Sequence, residues 1–281
     1  MTDTSTSRAV STSDVAPLES GWLIVDGLPM FHRRADLDDA DAPAIVHVHG
    51  FGISGTYMQP TAALLAPRFR TFVPDLPGHG RSHRLKGRID LPRLAAALAH
   101  YCQTVGVERA TFVVNSLGCP TICALAADFP ELVERVVLVS PAGGPNNQPL
   151  GRALWQMAVV GPREPLSMVP IAVRDYLHFG VGLSLSLFRA MTRFPTIERL
   201  QALRVPTLVV VGERDPLIRL DRVSVLHTIP HAHAVVVPGA HALNYSHPDV
   251  VAALVAAHID GTPLHTADGP LAATREVPIP E

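Results

Sequence analysis

The stretch FVVNSLGCPTICALA, residues 112–126, decides how the rest of the chain is read. An apolar run, Phe112 to Val114, ends at Asn115-Ser116. Gly118 follows, and then an apolar pattern with helical spacing begins. A buried strand that stops on a serine and turns straight into a helix lifts the hydroxyl clear of the backbone. It also places the next N–H groups at a helix N-terminus, where developing negative charge is stabilised. So sharp a bend needs small neighbours, and the usual pattern is G-x-S-x-G. Here Val114 stands in place of the first glycine and Gly118 supplies the second. Serine is also a good N-cap, so the stretch alone leaves nucleophile and cap both open.

Outward from Ser116 the chain alternates apolar runs with helical patterns. WLIVDGLPMFHRRA (22–35) reads as a hairpin around Asp26-Gly27, a strong two-residue turn signal. APAIVHVHG (42–50), ATFVVNS (110–116), VERVVLVSP (133–141), VPTLVVVGERD (205–215) and AHAVVVPGA (232–240) read as strands, and RTFVPDLPGHGRS (70–82) as a strand running into a Pro/Gly loop. TAALLAPRF, LPRLAAALAHYCQTVG, LGCPTICALAADFP and PDVVAALVAAHI read as helices. Pro120 is tolerable in the first turn of its helix. Continuous apolar strands alternating with helices mean a mostly parallel, twisted sheet covered on both faces, an α/β fold.

The alternation lapses between 142 and 203, where several helical patterns follow one another with no strand between them. Such an insertion would sit as a helical lid over the sheet ends. The expected organisation is a disordered N-terminal tail (1–18), a core (19–141 and 204–262), the lid (142–203) and a flexible Pro-rich C-terminal tail (263–281).

The bulk numbers narrow the class. Hydrophobic residues make up 47% and charged residues 17%, as in a packed globular protein. The formal net charge of −2 argues against a nucleic-acid footprint. No apolar run approaches the roughly 20 residues of a membrane span, and the Ser/Thr-rich start has no signal-like apolar stretch. A soluble, cytoplasmic protein is expected. Cys102, Cys119 and Cys123 are too few for a disulfide framework, and no His or further Cys stands at a metal-like spacing. They read as small buried hydrophobes, and no metal or cofactor is expected.

A serine becomes a nucleophile only with a base and an orienting acid. His241 lies in VVVPGAHALNYSHP, directly after the last strand read above. His247 is nearby, but it stands before a proline at the start of the final helix and reads as a cap. Asp215 follows the preceding strand in LVVVGERDPL, with Glu213 as the alternative acid. Asp215 is preferred because its place before a proline matches a loop tip. An oxyanion needs two backbone donors. Leu117 N–H comes from the bend, and the glycine-rich HGFGISG loop (49–55) offers Phe51 N–H. All of these stand at strand carboxyl ends, where parallel sheets bind their ligands.

At this point the chain resembles the α/β-hydrolase superfamily, through VHVHGFG, VPDLPGHGRS, VVNSLGC, LVVVGERDPL and VVVPGAHALNYSHP. The resemblance covers about residues 20 to 260 apart from most of the lid. It implies Ser116 as nucleophile, His241 as general base and Asp215 as acid, with oxyanion amides at Phe51 and Leu117. It also implies that His49 and Gly50 shape the oxyanion loop and that Asp75, Gly78 and Gly80 are structural. Asn115 before the serine is similar to the elbow of carbon–carbon bond hydrolases of aromatic degradation. Those enzymes have a different glycine loop and an aromatic residue after the histidine, where this chain has Ala242.

The lid carries six arginines and three acids between 141 and 200. Arg174 is the candidate partner for a substrate carboxylate, since bidentate pairing suits it. Together Gly50, Asn115, Trp155, Arg174 and Ala242 are expected to line the substrate site. The expected activity is cofactor-free hydrolysis of a small to medium, mostly apolar ester or related carbonyl compound. Carbon–carbon cleavage of a diketone acid and non-catalytic binding of a small molecule are the alternatives.

Overall fold

The computed structural model describes residues 15–87, 89–141, 161–217 and 228–277. Strands β1 (Glu19–Val25) and β2 (Leu28–Ala35) form the hairpin read from the sequence. Asp26 and Gly27 connect them at φ 50° and 74°. Positive φ at both central residues matches the turn twist to the strand twist.

The chain continues through β3 (Ala44–Val48), α1 (Gln59–Leu65), β4 (Arg70–Pro74), α2 (Leu91–Thr104), β5 (Ala110–Ser116), α3 (Gly118–Asp128) and β6 (Val133–Pro141). Among the described residues three helices follow with no strand between them: α4 (Val169–Phe179), α5 (Val181–Arg193) and α6 (Thr196–Gln201). Then come β7 (Thr207–Gly212), β8 (Ala232–Val237), α7 (Leu243–Ser246), α8 (Pro248–Asp260) and β9 (Arg275–Val277).

The strands form one sheet in the order β1-β2-β4-β3-β5-β6-β7-β8-β9. From β4 to β8 neighbouring strands run parallel, and antiparallel strands finish both edges. Every residue of β3 and β7 is buried, as expected for strands covered on both faces. Alternate side chains feed two cores. Val46, Phe112, Val136 and Val209 pack with Leu94, Leu98 and Ile122 of α2 and α3. Ile45, Val113, Val137 and Val210 pack with Leu65 of α1 and Val251 and Leu254 of α8. Each such side chain contributes about 1.5–3 kcal/mol of transfer free energy, which makes the sheet a rigid mount for whatever stands at its ends. Among the described residues, no helix is long and apolar enough to cross a membrane.

Three expectations need correction at the edges. Residues 263–277 were expected to be loose. Instead they carry a 3-10 turn (Pro270–Ala273) and β9, which pairs Arg275 with Val236 and Val277 with Ala234. Thr274 is 1% exposed and its hydroxyl bonds the Leu264 and Leu271 carbonyls, pinning the segment. Of the expected N-terminal tail, Ala16 N–H bonds the Ala63 carbonyl at 3.1 Å and Leu18 packs on the second core. His247 does occupy the N-cap position of α8, but its side chain makes no cap bond and meets Ser246 Oγ at 3.0 Å instead.

Candidate active site

Ser116 ends β5 with φ 51°, left-handed backbone that a non-glycine residue adopts at a cost of about 1–3 kcal/mol. The bend runs at once into α3, whose N-cap is Leu117. A Cβ on Gly118 would stand 2.8 Å from the Val48 carbonyl oxygen and 3.0 Å from Val114 Cβ. The second glycine of the motif is therefore required by packing. Val114 is accepted in place of the first because Gly118 leaves it room.

β3 has β4 on one side and β5 on the other, so the chain leaves it and β5 in opposite directions. A crevice opens outside the carboxyl ends of two such strands. The glycine loop lines it: a Cβ on Gly50 would stand 3.3 Å from Ser116 Cβ. The Phe51 ring is held edge-on by Phe179 and Phe188 of the helical insertion, with centroids 5.5 and 5.7 Å away.

Asp215 and His241 come from the loops after β7 and β8. Glu213 N–H bonds the Val237 carbonyl at 2.9 Å and Arg214 N–H the Gly239 carbonyl at 2.8 Å, which sews the two loops together. Asp215 Oδ2 then meets His241 Nδ1 at 2.9 Å, and Asp215 Oδ1 accepts Leu217 N–H at 2.9 Å. Burial alone would push the Asp215 carboxyl up. The adjacent His241 and the Leu217 N–H outweigh it and hold the carboxyl below its usual range. Burial disfavours charged His241, yet the Asp215 carboxylate and the charge of Glu164 raise it above the usual histidine value. With Nδ1–H donated to Asp215, neutral His241 has Nε2 free to accept a proton. Ser116 Oγ and His241 are not hydrogen-bonded to each other in this structure. Glu213, the alternative acid, pairs on the surface with Arg275 of β9.

Three residues expected to touch substrate have other roles. Asn115 is 2% exposed and its amide is fully used. Its Oδ1 accepts the Tyr57 hydroxyl at 2.6 Å, and its Nδ2 reaches the Val139 carbonyl at 3.0 Å and the His241 carbonyl at 3.2 Å. Tyr57 Oη in turn accepts Gly50 N–H at 2.7 Å. Asn115 thus holds the glycine loop and the histidine loop together behind Ser116. Arg174 donates from Nε to Asp175 Oδ1 at 2.8 Å and from Nη2 to Thr56 Oγ1 at 3.3 Å, so its guanidinium is engaged by the protein. Ala242 is 3% exposed in the second core, and its N–H donates to Glu164. Gly50 is buried, with its N–H bonded to the Tyr57 hydroxyl and its Cα side turned to Ser116. Trp155 and the helical pattern around it lie outside the described residues. Asp75, expected to be structural, is buried and accepts Arg33 Nη1, Gly55 N–H and Arg81 N–H.

Sequence reading missed Tyr57, Glu164 and Asp175. The last two belong to the insertion and bond backbone N–H groups of the core. Glu164 Oε1 takes His241 and Ala242, and Asp175 Oδ2 takes Ser54 at 2.8 Å. The three cysteines are buried thiols, and burial pushes those of Cys102 and Cys123 up to about 12, far from nucleophilic.

Comparison with known proteins agrees with this layout. A family model described as the alpha/beta hydrolase fold matches residues 43–169. An uncharacterised protein of Mycobacterium bovis is 35% identical over 130 residues, 46% of this chain and 37% of that protein, so the chain spans little more than a third of that relative's length. The pimeloyl-[acyl-carrier protein] methyl ester esterase of Xanthomonas campestris is 29% identical over 248 residues, covering 75% of this chain and 92% of that one. The solved enol-lactonase from Burkholderia xenovorans superposes with a TM-score of 0.72 at 25% identity, over 85% of this chain and 100% of that one. With this sheet order, and with residues 43–169 matching the family model, the chain has the alpha/beta hydrolase fold.

Proposed function

We propose that the chain is a serine hydrolase that cleaves small to medium, mostly apolar esters or related carbonyl compounds through an acyl-enzyme. The observation that carries this reading is the 2.9 Å pair of Asp215 and His241, whose backbone carbonyl takes the amide of Asn115, the residue before a serine at φ 51°. Neutral His241 takes the Ser116 proton at Nε2, and Ser116 Oγ attacks the carbonyl carbon. The resulting oxyanion is held by the Phe51 and Leu117 N–H groups. His241 passes the proton to the leaving alcohol, and the acyl group stays on Ser116. Water, activated by the same histidine, then releases the acid and restores the serine. Asp215 stays ionised throughout, orienting the imidazole and stabilising the imidazolium. The helical insertion acts as the lid of this crevice. Its Phe179 and Phe188, packed on Phe51, suit an apolar substrate.

The relatives named as a methyl ester esterase and an enol-lactonase act, by those names, on carboxylic ester bonds, which supports an ester here. Carbon–carbon cleavage was motivated by Asn115 and the lid arginines; Asn115 is buried with its amide bonded within the protein, and Arg174 bonds Asp175 and Thr56. A binding-only role would leave the strained serine and the aligned Asp–His pair without a use.

The test is labelling with a fluorophosphonate probe, the modified residue being located by mass spectrometry, followed by turnover of a p-nitrophenyl ester series. Labelling at Ser116, lost in Ser116→Ala, is expected, with ester turnover lost in parallel. A folded protein that leaves Ser116 unlabelled and turns over no ester would overturn the reading.

A further inference from the structure

Glu164 is the acid of the helical insertion that reaches the histidine loop. It follows a 3-10 turn, Gly161–Arg163, and comes 77 residues before His241 in the chain. Its Oε1 accepts two consecutive backbone N–H groups, His241 at 2.8 Å and Ala242 at 3.0 Å. Its Oε2 is buried with no hydrogen-bond partner among the described residues. A carboxylate held this way is costly, because half of its acceptor capacity is withdrawn from water unsatisfied. Its two bonds fall on the one stretch of chain where a small shift of backbone would move a general base away from its serine. That stretch has a second support behind it, the Asn115 amide on the His241 carbonyl at 3.2 Å. The His241 peptide is therefore gripped on both sides, by the core through its C=O and by the insertion through its N–H.

We infer that Glu164 is a positioning residue for His241: it anchors the histidine's main chain through two N–H groups and makes the alignment of the base depend on where the insertion sits. This rests on the serine-hydrolase reading above. The anchor and the charge are separable. Glu164→Gln keeps the volume and a carbonyl acceptor but removes the negative charge. Glu164→Ala removes both. The charged and titratable groups facing this corner are Asp215 and Glu164 toward His241, with Tyr57 and His247 also within reach of the Glu164 charge. Arg214 and Asp249 act on His247. Of these, Asp215 and Glu164 favour the imidazolium. Removing the Glu164 charge thus lets His241 lose its proton at lower pH, and more of the base is neutral in acid.

The experiment measures the rate of fluorophosphonate labelling of Ser116 in the full chain from about pH 5 to about pH 9, the range that brackets a histidine. It compares the parent, Glu164→Gln and Glu164→Ala. The His241 imidazole is titrated in parallel by nitrogen-15 NMR. Glu164→Gln should label faster than the parent on the acid limb and match it within about threefold on the plateau. Its His241 titration should move to lower pH. Glu164→Ala should lose about tenfold or more of the plateau rate, a part of the 10²–10⁴ that a placed general base supplies. Superimposed profiles for all three proteins, with His241 titrating unchanged, would overturn the inference. If the parent does not label at Ser116 at any pH, the hydrolase reading fails on its own. The NMR shift still decides Glu164: a lowered His241 midpoint in Glu164→Gln supports the contact, and an unmoved one removes it.

Discussion

The sheet and the insertion between β6 and β7 place the same residue types in opposite ways. In β6, Val136, Val137, Leu138 and Val139 are fully buried, and the strand is fixed by apolar contact on both faces. In the insertion, Leu166, Leu177 and Val181 are 86%, 78% and 86% exposed, so those apolar side chains contribute little to holding it down. Among the described residues two kinds of contact fasten it to the core. Phe179, Leu187, Phe188 and Leu200 join the first core, with Phe179 and Phe188 on Phe51, while Glu164 holds the histidine loop and Asp175 holds Ser54. The difference teaches that the crevice has two kinds of wall. One is positioned by a core worth tens of kcal/mol, with each buried side chain adding about 1.5–3. The other is positioned by fewer buried side chains together with polar bonds worth about 1 kcal/mol each, so small changes there should move it.

The largest expected effect lies on the sheet side of that contrast. Asp215→Asn keeps the size of the side chain but offers His241 Nδ1 an amide that can present its N–H. The imidazole then takes the wrong tautomer, and Nε2 carries a proton when it should accept one. Turnover of a p-nitrophenyl ester should drop by about 10⁴ with the melting temperature nearly unchanged, as in other triads. A loss of less than tenfold would mean that Asp215 does not orient the base, and the sheet side would lose its claim to the chemistry.

Tyr57→Phe should come next. The phenol is 1% exposed and bridges Gly50 N–H to Asn115 Oδ1. Its removal leaves a buried donor unpaired, at about 1–3 kcal/mol of stability. The glycine loop, released from Asn115, should also lose its register with Ser116. We expect kcat to fall about tenfold with a smaller change in KM, since misplacement at the reacting atoms acts mainly on the chemical step. Urea unfolding and steady-state kinetics on one preparation separate the two effects. Stability lost without any fall in kcat would make Tyr57 a packing residue only.

These two residues also mark how far the sequence could be read. Ser116, Asp215 and His241 could be singled out as candidates because each is a local event, a chemistry-bearing residue just past an apolar run. The sheet was legible for the same reason, since strand periodicity and the Asp26-Gly27 turn are written in neighbouring positions. Tyr57 was not, because its meaning depends on Asn115, 58 residues away, and on a crossover between non-adjacent strands. Glu164 was hidden in the same way, by a 77-residue separation from His241. Asn115 was expected to touch substrate, and in the structure it is buried with its amide bonded to Tyr57, Val139 and His241. From sequence, an amide beside a nucleophile looks exposed to substrate, and only burial reveals that its hydrogen bonds are already taken. β9 escaped notice because a three-residue edge strand in a proline-rich segment has no period to detect; its place comes from the open edge of β8 and the buried Thr274.

The smallest expected effect lies on the insertion side and decides between two uses of one arginine. Arg174 was expected to meet a substrate carboxylate. In the structure its guanidinium pairs with Asp175, which is 1% exposed and holds Ser54 N–H. The arginine side chain is 53% exposed, so solvent screens the pair and its net worth is about 0–1 kcal/mol. If Arg174 serves only this bond, Arg174→Ala should change KM for a neutral ester and for its carboxylate-bearing analogue by the same factor, less than about threefold. If it reads substrate charge, the variant should lose at least about tenfold in KM for the acid ester alone, the size of one charge-assisted hydrogen bond. Paired kinetics on the two esters make the choice. An equal, small change would keep the insertion a wall held in place by its own carboxylates, while a selective loss would turn that wall into a specificity element.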